Sequence, residues 1–420
     1  MKQTIQNESS FTITSNFDAP INIKNEFLYY VKRVFIDIFI GIPVLILAFF
    51  LLLFKKQIKK RSSKKIILGT VPIIIFKTYN DVLKKEFNTT LFVLKDWSEG
   101  NFHNGITLND ISTSFIAKRP FSLGTYFAFI WSILNFELFF LYFNSGFLER
   151  TIWWRLEPII YQLFDKKVVL FPYGSDVWTV DKMSNLKKKY ALTLFDKKYF
   201  DMDFKRIKRN IWWSKYVNAI FTLIDFIKFL PRFDILTLHG HILLDIEEKP
   251  IFIKKDKIKI VHFANDEFRK GTKNISLILE NLSKERDDFE YEILVSISRD
   301  TLLKKCEEAD IIIDTFIDGF LQYTTLEAAI KGKVVLANLD NDLNDFFKYI
   351  NNEYYEKHFK QMPIINYNIY NLEVKLLELL NNKEEIVEIS KNTYDFTLNI
   401  IEENKKFIIN FTNKLLEKRY

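Results

Sequence analysis

The residues best suited to chemistry fall in three short stretches. In HFANDEFRKGTKNISLILENL, residues 262 to 282, Arg269 and Lys270 precede Gly271 and Thr272 where a helical pattern begins. Two cations, flexible backbone and the unpaired N–H groups of a first helical turn converge there, which suits an anion the size of a phosphate. A capped helix with a solvated basic pair has the same spacing. In ADIIIDTFIDGFLQYTTLEAAIKGKVVLAN, residues 309 to 338, a strand, a loop holding Gly319 and a helix carrying Glu327 precede another strand. Glu327 falls in the first turns of that helix, where its carboxylate can accept hydrogen bonds from sugar or ribose hydroxyls, or simply complement the helix dipole. KVVLFPYGSDVW, residues 167 to 178, ends a buried strand in a turn built from Gly174, Ser175 and Asp176, residue types that ordinary turns also use.

Metal chemistry finds no support. The histidines are His103, His239, His241, His262 and His358, and no spacing among them makes a metal site. His239 and His241 flank Gly240 after the strand-like DILTL, near a cleft, and His103 sits in the polar WSEGNFHNG as a candidate acceptor-side group. Cys306, the single cysteine, excludes an intramolecular disulfide and any multi-cysteine cluster, and reads as a buried small hydrophobe.

Elements that position these stretches follow from apolar periodicity. From Lys65, the β-rich runs IILGT, TLFVL (90 to 94), ELFFLYF (137 to 143), KVVLF (167 to 171) and DILTL (234 to 238) alternate with helical patterns, among them Asp81 to Phe87. The rhythm restarts after the charged linker 247 to 257 with IKIVHF (258 to 263), a helix at 273 to 284, YEILVSI (291 to 297), DIIID (310 to 314), a helix at 324 to 331 and KVVLAN (333 to 338). Such alternation predicts βαβ units and parallel sheets. The expectation is an α/β protein of two doubly wound, Rossmann-like domains, 66 to 246 and 258 to 340, with a helical part from 341 to 420 packing on both. Ligands of open α/β sheets bind at the carboxyl ends of the strands, so the three stretches should line a cleft. The chain has 420 residues, 48% of them hydrophobic, with 11 Gly and 9 Pro against 42 Phe, so long disorder and a turn-dense all-β array are excluded.

Charge matters here through its placement. The net excess of +7 is modest, but Lys55, Lys56, Lys59, Lys60, Arg61, Lys64 and Lys65 crowd the C-terminal side of VFIDIFIGIPVLILAFFLLLF, residues 34 to 54. Residues 1 to 33 are a polar lead-in and 55 to 65 a basic juxtamembrane segment. Twenty-one helical residues rise about 31 Å, close to the hydrocarbon thickness. The segment reads as a membrane-spanning helix with the following domains cytoplasmic, or as an interfacial helix, since Asp37 and Pro43 interrupt it and the lysines attract anionic lipid. Basic residues recur at 187 to 190 and in Lys205, Arg206, Lys208 and Arg209, as further membrane contact or as solvated faces. They lack the context of a nucleic-acid site, so no nucleic-acid partner is expected.

In their order, YGSDV at 173 to 177, His262 with Lys270, Gly271 and Thr272, the pair Ala309 and Asp310, and LEAAIKGKVV at 326 to 335 resemble the GT-B glycosyltransferases of the family 4 type, over roughly residues 66 to 340. The resemblance implies transfer of a hexosyl-type sugar from a nucleotide-sugar, metal-independent and with retention at the anomeric carbon. It implies that Lys270 contacts the donor diphosphate, that Glu327 holds the ribose, and that Arg269, Gly271, Thr272, Asp318, Gly319, Gln322 and Thr324 complete the donor site. The acceptor side would comprise the Gly69 loop at the end of IILGT, Gly174, Ser175, Asp176 and His239. The pattern departs from the family at three points: Gly319 stands eight residues before Glu327 where a glutamate is usual, with Asp318 one further back; Gln322 and Tyr323 are bulky; and Asn265 replaces an arginine, for which Arg269 is a substitute. The expected function is a membrane-associated glycosyltransferase acting on a lipid-linked or cell-surface glycan acceptor, as in polysaccharide or glycolipid synthesis. A catalytically inactive scaffold of the same fold is the alternative.

Overall fold

A computed structural model describes residues 23–94, 123–195, 198–237, 243–244, 249–317, 321–339 and 341–417. Six strands build the first sheet: β1 (Lys65–Thr70), β2 (Asn88–Val93), β3 (Leu138–Tyr142), β4 (Lys167–Phe171), β5 (Ala219–Leu223) and β6 (Ile235–Thr237). Five build the second: β7 (Ile258–Ala264), β8 (Phe289–Val295), β9 (Ile311–Ile313), β10 (Val334–Ala337) and β11 (Ile365–Asn366). All pairings are parallel, in the orders β2-β1-β3-β4-β5-β6 and β11-β10-β9-β7-β8. Near-continuous apolar runs form β3 and β4 because helices cover both faces; every residue of both strands is buried.

Two strands escape the sequence pattern. AIFTL of β5 continues without punctuation into IDFIKFL, so nothing in composition marks its end. β11 pairs with β10 through only two residues and lies in the part read as helical. Gly69, read as a loop residue, is inside β1, and a Cβ there would stand 2.3 Å from the Phe92 carbonyl oxygen of β2. The basic cluster on the helix Lys198–Tyr216 is divided: Lys205 and Lys208 are exposed, whereas Arg209 is buried, 3.0 Å from Glu149, and donates to the Asp176 carbonyl at 2.6 Å, and Arg206 is buried beside Asp203. Cys306 is fully buried, and burial pushes its thiol up to about 12.

The 35-residue helix Lys383–Glu417, about 52 Å long by its rise, ties the domains together. Ile386 belongs to the second-domain core, Tyr394 and Ile401 pack with Ile330, and Ile408 and Leu415 enter the first-domain core. At the opposite end of the sequence a helical path runs from Ile23 to Ser62 through a π-turn at Asp37–Gly41 and a 3-10 turn at Leu52–Phe54. Its stretch Tyr30–Ser62 is long and apolar enough to cross a membrane. Asp37 does not merely interrupt it. The buried carboxylate accepts hydrogen bonds from Tyr126 Oη at 2.9 Å, the Ile152 amide at 2.9 Å and Arg33 Nε at 3.3 Å, fastening the helix to the first domain.

Candidate functional site

In the second sheet, β7 stands between β8 and β9, and chain direction reverses its order there; the carboxyl ends of β7 and β9 therefore frame the crevice where such sheets take ligands. His262 pairs in register with Ile313 across that junction. Its Nδ1 faces the Ile313 carbonyl at 2.8 Å, which can only accept, so Nδ1 carries the proton and Nε2 accepts from the Thr272 hydroxyl at 2.9 Å. Burial holds this imidazole neutral, with its pKa lowered to about 4. The histidine thus ties the strand to the first residue of the helix Thr272–Glu285.

Asp266 caps the short turn Glu267–Lys270 by accepting from the Phe268 and Arg269 amides. Gly271 then reverses the chain at φ +70°, a conformation that favours glycine, and a Cβ would fall 2.0 Å from the Phe316 ring. This reversal turns Lys270 inward. Its Nζ donates to Asp314 Oδ1 at 2.5 Å across the crevice, and Asp314 Oδ2 accepts from the Thr325 hydroxyl. Tyr367 Oη donates to the Asp314 carbonyl at 2.5 Å. Asp314, Thr325 and Tyr367 form a buried frame that sets the position of the Lys270 ammonium. No sequence motif flagged these three; the only signal was that Asp314 directly follows a strand.

Glu327 lies buried in the helix Tyr323–Ile330 and is ion-paired with Arg299, the first residue of the helix Arg299–Glu308 after β8. Burial pushes its pKa up and the guanidinium opposes the rise. Gln322 stands at the N-cap without a side-chain capping bond, and Thr324 is half-buried in the first turn. Asp318, Gly319, His103, His239 and His241 lie outside the described residues.

The first domain presents its turn to the same cleft. Asp176 is fully buried and binds three amides, Gly174 at 2.9 Å, Tyr173 at 3.0 Å and Phe143 at 3.3 Å, so it holds the end of β4 to the end of β3. Burial raises its pKa to about 6. Gly174, at φ +130°, lies against the Trp178 ring, where a Cβ would come within 3.0 Å. Trp178 receives the Arg269 guanidinium at 4.9 Å from its centroid and the Lys188 ammonium at 4.0 Å. Asn185 Nδ2 donates to the Ile317 carbonyl at 2.9 Å, and Lys187 Nζ to the Phe316 carbonyl at 3.2 Å. The structure therefore brings Arg269 against Trp178, beside the Gly174 turn, keeps Lys270 and Thr272 buried on Asp314 and His262, and leaves Gly69 and the Asp176 carboxylate as buried supports.

This pair of sheets has solved counterparts. It superposes on sucrose-phosphate synthase from Thermosynechococcus elongatus with a TM-score of 0.54 at 10% identity, over 84% of this chain and 99% of that one. The chain has the GT-B fold. Other GT-B similarities include a UDP-glucosyltransferase from Polygonum tinctorium (TM-score 0.47, 9% identity, 85% of this chain and 99% of that one). An α-glucosyltransferase solved with UDP and DNA has a TM-score of 0.45 at 11% identity, over 82% and 99% of the two chains. No family model and no curated protein matches the sequence.

Proposed function

We propose that this chain is a glycosyltransferase that moves a hexosyl-type sugar from a nucleotide-sugar, of which a UDP-sugar is the first to test, to a glycan or lipid-linked acceptor held at a membrane. The reading rests on one observation: Lys270, held by Asp314 at the β7/β9 junction, follows Arg269, whose guanidinium stands over Trp178 beside the Gly174 turn of the other domain. As the bond between the anomeric carbon and the diphosphate oxygen breaks, negative charge grows on the leaving group. Lys270 and Arg269 would meet that charge, and the fixed ammonium needs no reorganisation as it develops. The acceptor hydroxyl oxygen forms the new bond to the anomeric carbon and passes its proton to the departing diphosphate oxygen; family resemblance suggests retention. Glu327 would hold the ribose hydroxyls, with Arg299 fixing its rotamer, and Thr272, Gly271, Gln322, Thr324, Asp318 and Gly319 would complete the donor side. Ser175 and His239 would face the acceptor, and the domains would work at the cytoplasmic side.

The test is thermal stabilisation of the full chain across a panel of nucleotides and nucleotide-sugars, followed by assay of nucleotide release with candidate acceptors. A ligand at a hundredfold over its dissociation constant adds about 2.7 kcal/mol to native stability. A selective shift abolished in Glu327→Ala and in Lys270→Ala, with turnover, is the expected result. Because Arg299 already neutralises Glu327, a non-catalytic scaffold is the competing reading; absence of both binding and turnover would favour it.

A further inference from the structure

The N-terminal helix has a buried face that never breaks. Arg33, Asp37, Gly41, Leu45, Ala48, Ile58 and Ser62 are all buried, at the three- and four-residue spacing of one helical stripe, with Leu52 and Lys55 half-buried between them. From Arg33 to Ser62 that stripe is about 44 Å long by helical rise. It is docked at both ends on one element of the first domain, the crossover helix Leu123–Asn135: Asp37 meets Tyr126, and Arg61 donates to Asn135 Oδ1 at 3.0 Å. Lys166 Nζ adds a bond to Ser62 Oγ at 2.9 Å. A helix so fastened cannot stand across a bilayer without drawing the crossover helix and the sheet beneath it into hydrocarbon.

The opposite face is apolar and open. Phe35, Phe39, Ile46, Phe49, Phe50 and Leu53 are between 49% and 74% exposed, a continuous strip too large to be incidental on a soluble surface. Directly beyond it comes a cationic end. A cleft of about 1160 Å³ beside residues 56 to 65 is lined by seven lysines and four carboxylates. Among the described residues, the ammonium groups of Lys56, Lys60 and Lys64 are in no ion pair, although the Lys64 amide donates to Glu137 Oε2 at 2.8 Å. The cleft sits at the amino ends of β1, β2 and β4, opposite the ligand crevice, so its charge is not part of the donor site.

We propose that the helix Ile23–Ser62 is an in-plane membrane-docking face: its apolar strip enters one leaflet and the lysines that follow bind that leaflet's anionic headgroups. The inference deepens the membrane association proposed above and rests on it. It is independent of sugar transfer. The occupant is a lipid surface and not a protein because the exposed apolar strip adjoins a cluster of lysines on the same helix, a pairing that takes up acyl chains and anionic headgroups side by side at one interface.

Two measurements on the full chain test it. One cysteine is added at a time, Ser9→Cys or Tyr370→Cys, the latter position 93% exposed and the native Cys306 fully buried, and each variant is treated with a membrane-impermeant maleimide in intact and in inverted membranes. An in-plane helix leaves both on the same side, so both label in the same preparation. Labelling in opposite preparations makes the helix a span and overturns the proposal. Purified protein is then floated with vesicles of phosphatidylcholine alone or with added phosphatidylglycerol. Binding rises with the anionic lipid and falls with salt. Lys56→Gln with Lys60→Gln lowers the anionic-vesicle partition coefficient more than tenfold, at about fivefold per lysine. Phe39→Glu with Ile46→Glu and Phe50→Glu abolishes binding to both vesicles, with the thermal midpoint in detergent retained because these side chains are already exposed. A chain indifferent to vesicles, or one whose apolar strip is covered by a second copy in a lipid-free dimer, overturns the proposal. Donor-induced stabilisation is read separately, so loss of the glycosyltransferase reading and loss of this one remain distinguishable.

Discussion

At the residue scale, the decisive pair is Lys270 with Asp314. Removing one partner of a buried ion pair strands the other charge, which costs about 3 kcal/mol or more. Lys270→Ala therefore lowers the denaturation midpoint, and Lys270→Ala with Asp314→Asn regains most of that stability without regaining nucleotide binding; equilibrium unfolding and ligand-induced thermal shifts on both variants separate the two roles. Gly271→Ala must place a side chain at φ +70° and against Phe316. A loss of about 2 kcal/mol or more is expected, measured by the same unfolding curves. His262 carries a pH dependence of definite sign. Its folded-state pKa of about 4 lies below the ordinary 6.5, so between those values the unfolded chain binds a proton that the native imidazole does not. Stability from this group rises with pH across the window, at up to about 1.4 kcal/mol per unit. Asp176 and Glu157, with pKa values raised by burial to about 6 and about 8, have contributions that fall as pH rises between their ordinary and raised values. The quantity to measure is thus the stability difference between wild type and His262→Asn, which should climb from about pH 4 to 6.5; a flat difference would refute the neutral buried imidazole.

Elements show why an acid sits in the middle of an apolar helix. Asp37 collects a tyrosine hydroxyl, a backbone amide and Arg33, and its own carbonyl accepts from Trp153 Nε1 at 2.8 Å. Gly41, one turn on, allows Trp153 and Tyr126 to approach, since a Cβ would meet both within 2.6 Å. Hydrogen bonds to a charged group contribute about 1.5 to 3 kcal/mol each. Asp37→Ala leaves these donors buried and unmet, so the helix should loosen from the domain. Limited proteolysis in detergent is expected to cut the variant between residues 33 and 62 at a protease level that spares the wild type, while donor binding in the other domain persists.

For the whole molecule, the final helix links the two domains by packing into the cores of both, so they are expected to unfold together. Its last three turns fill first-domain core positions through Ile408 and Leu415, and Lys167 Nζ bonds the Leu416 carbonyl at 3.1 Å. Deleting residues 404 to 420 uncovers that core. Calorimetry should then resolve two unfolding transitions where the intact chain gives one, with the first domain melting earlier. A single unshifted transition would mean that the interdomain contacts at Trp178 and Phe316 suffice.

Much of this architecture was legible in the sequence because it is local. Apolar runs of five to seven residues separated by helical periods mark parallel strands, and nine of the eleven strands among the described residues overlap such runs. Lys270, Gly271 and Thr272 were readable because a helix start after a strand is itself a local pattern. β5 and β11 were not, since pairing with a neighbour, and not composition, makes them strands. Nor could local pattern foresee Asp314, Thr325 and Tyr367 around Lys270, or Arg299 on Glu327, whose partners lie 11 to 53 residues apart along the chain. Asp37 looked like a flaw in a membrane segment and Asp176 like a turn residue. Both are buried acceptors of backbone amides, because a desolvated carboxylate persists only where tertiary contacts deliver donors to it. Hydrophobic periodicity is written one residue at a time; satisfaction of buried charge is decided only when distant segments meet.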